Sequence, residues 1–122
     1  MSNRVYGETE INDILSRELP TWHLQAGSIR RTYRTSGWRA TLMVVNAIGH
    51  LAEAAWHHPD LAVSYAKVTV SLNTHDAGGI TDKDFELARK IEELILWQPG
   101  LEGKALEGNP KDVPYIDYAA KT

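Results

Sequence analysis

The sequence predicts a two-layer α+β domain, with helices packed on one side of an antiparallel sheet. Three observations predict it. Apolar residues recur every three or four positions over 38–55 and again over 82–97, so each stretch is a helix with one face to bury. Between them, over 63–72, the period drops to two, as in a strand with one buried and one wetter face. Helices and strands are intermixed along the chain, the order that suits helices laid on a sheet.

In chain order, residues 1–8 carry no periodicity and read as a loose arm. Thr9 can cap a helix over 9–19, because Ile11, Ile14 and Leu15 fall on one face, and Pro20 ends it. Residues 22–25 and 29–34 read as two strands joined by a tight turn at Ala26-Gly27-Ser28. Ser36 or Gly37 then opens the long helix, whose inner face is Leu42, Val45, Ile48, Ala52 and Ala55, and Pro59 stops it. The strand over 63–72 turns Ala66, Val68, Val70 and Leu72 one way and Tyr65, Lys67, Thr69 and Ser71 the other. After a turn at His75-Asp76-Ala77-Gly78-Gly79, Thr81 caps the last helix, with Leu87, Ala88, Ile91, Leu94 and Ile95 inward. Residues 98–122 form an extension to the domain of 1–97. Following Trp97, it keeps Leu101, Tyr115 and Tyr118 as anchors, which a disordered tail would lack. It packs on its own domain or on a neighbouring subunit, and 115–118 could add a strand to a sheet edge.

Composition narrows the function. At 122 residues, with 43% hydrophobic and 24% charged residues, the chain is ordinary for one soluble domain. A net charge of −3 argues against general nucleic-acid binding, which shows a basic excess. The absence of cysteine excludes a disulfide framework, a thiolate nucleophile and a Cys-ligated metal site, and fits the cytoplasm. No apolar run has membrane-spanning length and no signal peptide opens the chain, so no membrane role is expected. Arg30, Arg31, Arg34 and Arg39 are the one basic cluster. Alternation splits its strand members between two faces, so solvated arginines are expected rather than an anion patch.

The chemistry-bearing stretch is Glu53-x3-His57-His58-Pro59-x5-Tyr65-x9-His75-x8-Asp84. Imidazole titrates near neutrality, so clustered histidines are how a small protein assembles acid–base chemistry. Each residue also has a plainer role. His57 and His58 at a helix C-terminus would interact well with its dipole. Asp84 stands three residues after Thr81, in the capping-box position. Glu53 suits a solvated helix face, Tyr65 suits sheet packing, and His23 and His50 read as surface residues. A three-histidine zinc site is the remaining alternative, though no His-Glu-x-x-His motif accompanies it.

With the strand at Tyr65-Ala66-Lys67-Val68 and the run Leu72-Asn73-Thr74-His75-Asp76-Ala77-Gly78-Gly79-Ile80-Thr81, the pattern resembles the pterin-4a-carbinolamine dehydratase family over about residues 20–95. That resemblance implies a four-stranded antiparallel sheet with about three helices on one face. It implies a hydro-lyase that converts 4a-hydroxytetrahydropterin to quinonoid dihydropterin in tetrahydrobiopterin recycling. No metal or cofactor takes part, the pterin being the substrate. By matching position, His57 and His75 would be the acid–base pair and His58 would bind and orient the pterin. Trp22 would line the ring site, Pro59 would fix the turn, and Glu53 and Asp84 would contact the pterin or hold a histidine. Self-association as a homodimer or homotetramer is also implied. The family includes non-enzymatic uses of the fold, a transcription-factor dimerisation cofactor and Rubisco assembly factors, so a protein-binding module is the alternative. Two features depart from the pattern. Trp56 stands where a small polar residue is usual and could stack on the pterin or obstruct it, and the extension over 98–122 is atypical. Tyr33, Trp38, Leu42 and Val44 replace phenylalanines and leave the core apolar.

Overall fold

The computed structural model describes residues 4–118. Its elements are α1 (Glu8–Glu18), β1 (His23–Gln25), β2 (Ser28–Arg34), α2 (Trp38–Ala55), β3 (Asp60–Ser64), β4 (Lys67–Leu72) and α3 (Asp82–Ile95). Short 3-10 turns follow β4 (His75–Ala77) and α3 (Pro99–Glu102). The four strands make one antiparallel sheet in the order β1-β2-β4-β3, so the expected α+β fold with three helices is present.

Sheet alternation places the core. Ile29, Arg31 and Tyr33 of β2 and Val68, Val70 and Leu72 of β4 are all buried beneath the helices. On the other face Arg30, Thr32, Arg34, Lys67, Thr69 and Ser71 are exposed or half-buried, and the Thr32 and Thr69 hydroxyls bond across the strands at 2.9 Å. β1 and β2 meet at Ala26 and Gly27, with φ of 51° and 77°, the left-handed pair that a two-residue hairpin requires.

Several expectations are corrected. The stretch 63–72 is not one strand: the chain reverses at Tyr65 and Ala66, and Ser64 pairs with Lys67. Because residues three apart face each other across a two-residue loop, the core-side parity switches from odd in β3 (Leu61, Val63) to even in β4 (Val68, Val70), so the single expected face does not continue through the turn. Tyr65 is consequently exposed at the loop, not packed in the sheet. Along α2 the buried stripe is Ala40, Thr41, Val44, Ile48 and Ala52, one position round from the expected face, which leaves Leu42 and Ala55 exposed. Leu94 of α3 is likewise exposed. Gly7, not Thr9, is the N-cap of α1, and Glu10 Oε1 accepts from its N–H at 3.1 Å. Arg31 is buried rather than solvated.

Of the expected loose arm, residues 1–3 lie outside the described residues, and the rest is anchored. Tyr6 donates its N–H to the Ile80 carbonyl at 2.9 Å and its hydroxyl to Asp82 Oδ1 at 2.6 Å, with its ring edge-on to Phe85. The extension also returns to its own domain. Ile116 bridges to Thr35 and is buried among core residues, flanked by Ser36 N–H to the Tyr115 carbonyl at 3.1 Å and Asp117 N–H to the Arg34 carbonyl at 2.9 Å. The contact is a one-residue bridge, short of an added strand, and residues 119–122 lie outside the described residues. Because Ile116 is the buried anchor of this return, Ile116→Ala should cost about 2–5 kcal/mol, read from the urea midpoint at constant slope. An unchanged midpoint would mean that the extension contributes nothing to the core.

Candidate active site

The site forms where the C-terminus of α2 meets the N-terminus of α3. α2 ends because Trp56 turns left-handed (φ 53°, ψ 48°), with the Trp56 and His57 N–H groups closing on carbonyls of the last turn. A non-glycine residue in that conformation is strained by roughly 1–2 kcal/mol. The reversal sends the two consecutive histidines to two different carboxylates before Pro59 leads into β3.

His57 is the interior one. Its Nε2 lies 2.7 Å from Asp84 Oδ1, with the His57 side chain 14% exposed and Asp84 fully buried. The other carboxylate oxygen, Oδ2, accepts from the Thr74 hydroxyl at 2.8 Å and the Thr81 N–H at 2.9 Å. The Thr81 hydroxyl reaches Thr74 Oγ1 at 2.8 Å, which completes a buried Thr81–Thr74–Asp84–His57 chain. Asp84 is therefore both the capping-box partner of Thr81 at the start of α3 and the hydrogen-bond partner of a histidine. A carboxylate only accepts, so Nε2 carries the proton, and among the described residues Nδ1 has no hydrogen-bond partner.

His58 forms the exposed counterpart, its Nε2 2.8 Å from Glu53 Oε1 one turn back along α2. The Trp56 ring stands edge-to-face with it, centroids 5.0 Å apart at 84°, with the indole itself 75% exposed. His75 is exposed on the turn after β4, next in the chain to Thr74. Its side chain lines a recess of about 200 Å³ with Gly27, Asn73, Gly78 and Gly79.

The structure thus pairs His57 with Asp84 and His58 with Glu53, with Pro59 next in the chain, while His75 follows Thr74 in the chain and lines its own recess beside Gly27 and Asn73. Trp22 is not. It is buried in the core, and its indole N–H donates to Glu92 Oε1 at 3.1 Å, toward the far end of α3 from Asp84. Glu92 Oε1 also accepts from Arg31 Nε at 2.8 Å and from the Tyr33 hydroxyl at 2.6 Å. Burial and the adjacent Glu92 carboxylate push the Tyr33 hydroxyl far above the usual phenol range.

Sequence reasoning missed Thr74 and this Glu92 cluster; an arginine alternating with apolar residues on β2 was the available signal. Among the described residues, no group of three or more His, Cys, Asp or Glu stands where it could hold a metal ion, so the three-histidine zinc arrangement is not assembled. The larger recesses lie elsewhere. One of about 860 Å³ runs between the start of α2, Tyr65 and the extension, and one of about 540 Å³ lies within the extension between Trp97 and Tyr118. No helix of the described residues is long and apolar enough to cross a membrane.

Comparison with known proteins identifies a family. Residues 4–94 match the family model described as pterin 4 alpha carbinolamine dehydratase. A protein of Aquifex aeolicus, provisionally named a pterin-4-alpha-carbinolamine dehydratase, is 48% identical over 92 residues, 75% of this chain and 92% of its own length. A Chloroflexus aurantiacus protein of the same provisional name is 44% identical over 88 residues, 72% of this chain and 94% of its own. Among solved structures, a Brucella melitensis protein described as a transcriptional coactivator/pterin dehydratase superposes with a TM-score of 0.68 at 29% identity, covering 75% of this chain and 98% of its own.

Proposed function

The chain belongs to the pterin 4 alpha carbinolamine dehydratase family, and from that premise we propose that it dehydrates 4a-hydroxytetrahydropterin to quinonoid dihydropterin by histidine acid–base catalysis. The reaction breaks the C4a–O bond with a proton delivered to the departing hydroxyl, and removes the proton from N5. Water is the other product. The observation that carries the reading is His57, held through Nε2 by a fully buried Asp84 at 2.7 Å, which leaves its Nδ1 without a hydrogen-bond partner among the described residues. That is the form of imidazole needed to take the N5 proton, while His75 supplies the proton to the hydroxyl. His58, fixed by Glu53, orients the pterin, and Pro59 sets the turn presenting both histidines. Trp22 has no part in this reading, since its ring is buried in the core. No metal or other cofactor enters, and the role is tetrahydrobiopterin recycling in the cytoplasm.

A homodimer or homotetramer belongs to the same proposal. The exposed Trp38, Leu42 and Met43 on α2 and the outer strand β3 are surfaces that a second copy would cover. The alternative reading, a protein-binding module, is favoured by the coactivator description of the Brucella protein. Following 4a-hydroxytetrahydropterin generated in situ separates the two. The enzyme reading expects the protein to speed dehydration well beyond buffer, and a protein no faster than buffer would refute it.

A further inference from the structure

Trp56 is the residue of this region that folding does not account for. Its indole is 75% exposed, and its backbone takes the left-handed conformation that glycine adopts without strain. The helix end that it closes uses only its backbone N–H. A side chain that is large, apolar, uncovered and strained at once departs from three folding preferences together, a combination that clusters at binding sites. Its surroundings indicate what binds. The ring already meets His58 edge-to-face at 5.0 Å, next in the chain to His57, and the rest of the indole is open to solvent. The polar side chains here, Glu53, His57, His58 and Asp84, can exchange protons and hydrogen bonds, yet none offers a broad surface for a flat ring.

We propose that Trp56 is a substrate-binding residue of this site. Its indole stacks on the planar bicyclic ring of the pterin and, through its contact with His58, sets that imidazole against the ring edge. The inference rests on the dehydratase reading and adds the surface that holds the ring while His57 works on it. Offset stacking of this kind is worth roughly a three- to tenfold change in affinity.

The test compares wild type with Trp56→Gly and Trp56→Phe. KM and kcat are measured for dehydration, binding of the non-reacting 7,8-dihydrobiopterin by equilibrium dialysis, and the thermal midpoint. Trp56→Gly relieves the left-handed strain, so its midpoint should equal or exceed that of wild type while KM and the dihydrobiopterin Kd rise roughly three- to tenfold. Trp56→Phe keeps a flat ring and should recover most of the lost affinity. A Trp56→Gly protein with wild-type KM and Kd would overturn the inference and leave the dehydratase reading standing. A Trp56→Gly midpoint below wild type with both constants unchanged would do the same, by assigning Trp56 a structural role. If wild type itself neither accelerates dehydration nor binds the dihydropterin, the dehydratase reading fails and this inference with it.

Discussion

His57→Ala should lower the dehydration rate by roughly two orders of magnitude or more, the scale of losing one positioned acid–base group. The loss turns on which nitrogen of His57 carries the proton. Oδ2 of Asp84 is committed to two donors, the Thr74 hydroxyl and the Thr81 N–H, so only Oδ1 is left for the imidazole. Nε2–H donates to it, and Nδ1 is left as base. Asp84→Asn tests this arrangement without removing the histidine. The amide oxygen must stay where both donors point, which turns the NH2 toward Nε2. Nε2 then has to accept, the proton moves to Nδ1, and the base is lost, the same tautomer logic that governs the aspartate of a serine-protease triad. Initial rates for Asp84→Asn should therefore fall about as far as those for His57→Ala, roughly 10²-fold, while the capping of α3 is retained. His57→Ala with a rate within threefold of wild type would remove His57 from the chemistry. A Asp84→Asn protein that keeps its rate would show that the tautomer is not held by this bond.

How much of this was legible in the sequence divides by the range of the interaction. α2 was bounded correctly from its period and its stop at Pro59, because both signals are local. The rotation of its buried stripe from Leu42 to Thr41 was not legible. Thr41 is drawn inward by hydroxyl bonds to Thr35 at 2.7 Å and to the Tyr65 carbonyl at 2.9 Å, partners that only the fold supplies. The hairpin at Tyr65 and Ala66 carries no Gly, Asn or Asp, so it gave none of the usual turn signals. In the candidate site, Asp84 was legible as a cap from its spacing to Thr81, but its bond to His57 spans 27 residues and needed the packing of α2 on α3. Thr74 had no signal at all, since a threonine at the end of a strand is ordinary. Trp22 was misplaced for the opposite reason. A family position suggested a pocket, whereas the indole N–H of this chain is satisfied by Glu92 inside the core.

Glu92→Ala should be the most damaging substitution for stability, at about 3–5 kcal/mol, the cost of breaking a buried ion pair by removing one partner. Arg31 is 1% exposed and its guanidinium Nε lies 2.8 Å from Glu92 Oε1, so removing the carboxylate takes the countercharge from a cation that water does not reach. The same truncation takes the acceptor from the Tyr33 hydroxyl, the Trp22 indole N–H and the Thr21 hydroxyl. Glu92→Gln keeps an acceptor oxygen at the Oε1 position for Arg31, Tyr33 and Trp22 and loses the charge together with the second oxygen, to which the Thr21 hydroxyl donates. Its cost should be smaller, about 1–2 kcal/mol, since bonds to a charged acceptor exceed neutral ones by about that much. The two variants thus separate countercharge from acceptor, read as shifts in urea midpoint with unchanged slope. Glu92 lies eight residues beyond Asp84 on α3, about 12 Å at 1.5 Å per residue, so the Glu92→Gln protein should dehydrate its substrate at close to the wild-type rate wherever it is folded. Equal destabilisation by both variants would place the whole effect on the charge. A Glu92→Gln protein that is stable but inactive would tie this cluster to the chemistry at the other end of the helix, and the separation of stabilising network from active site would fail.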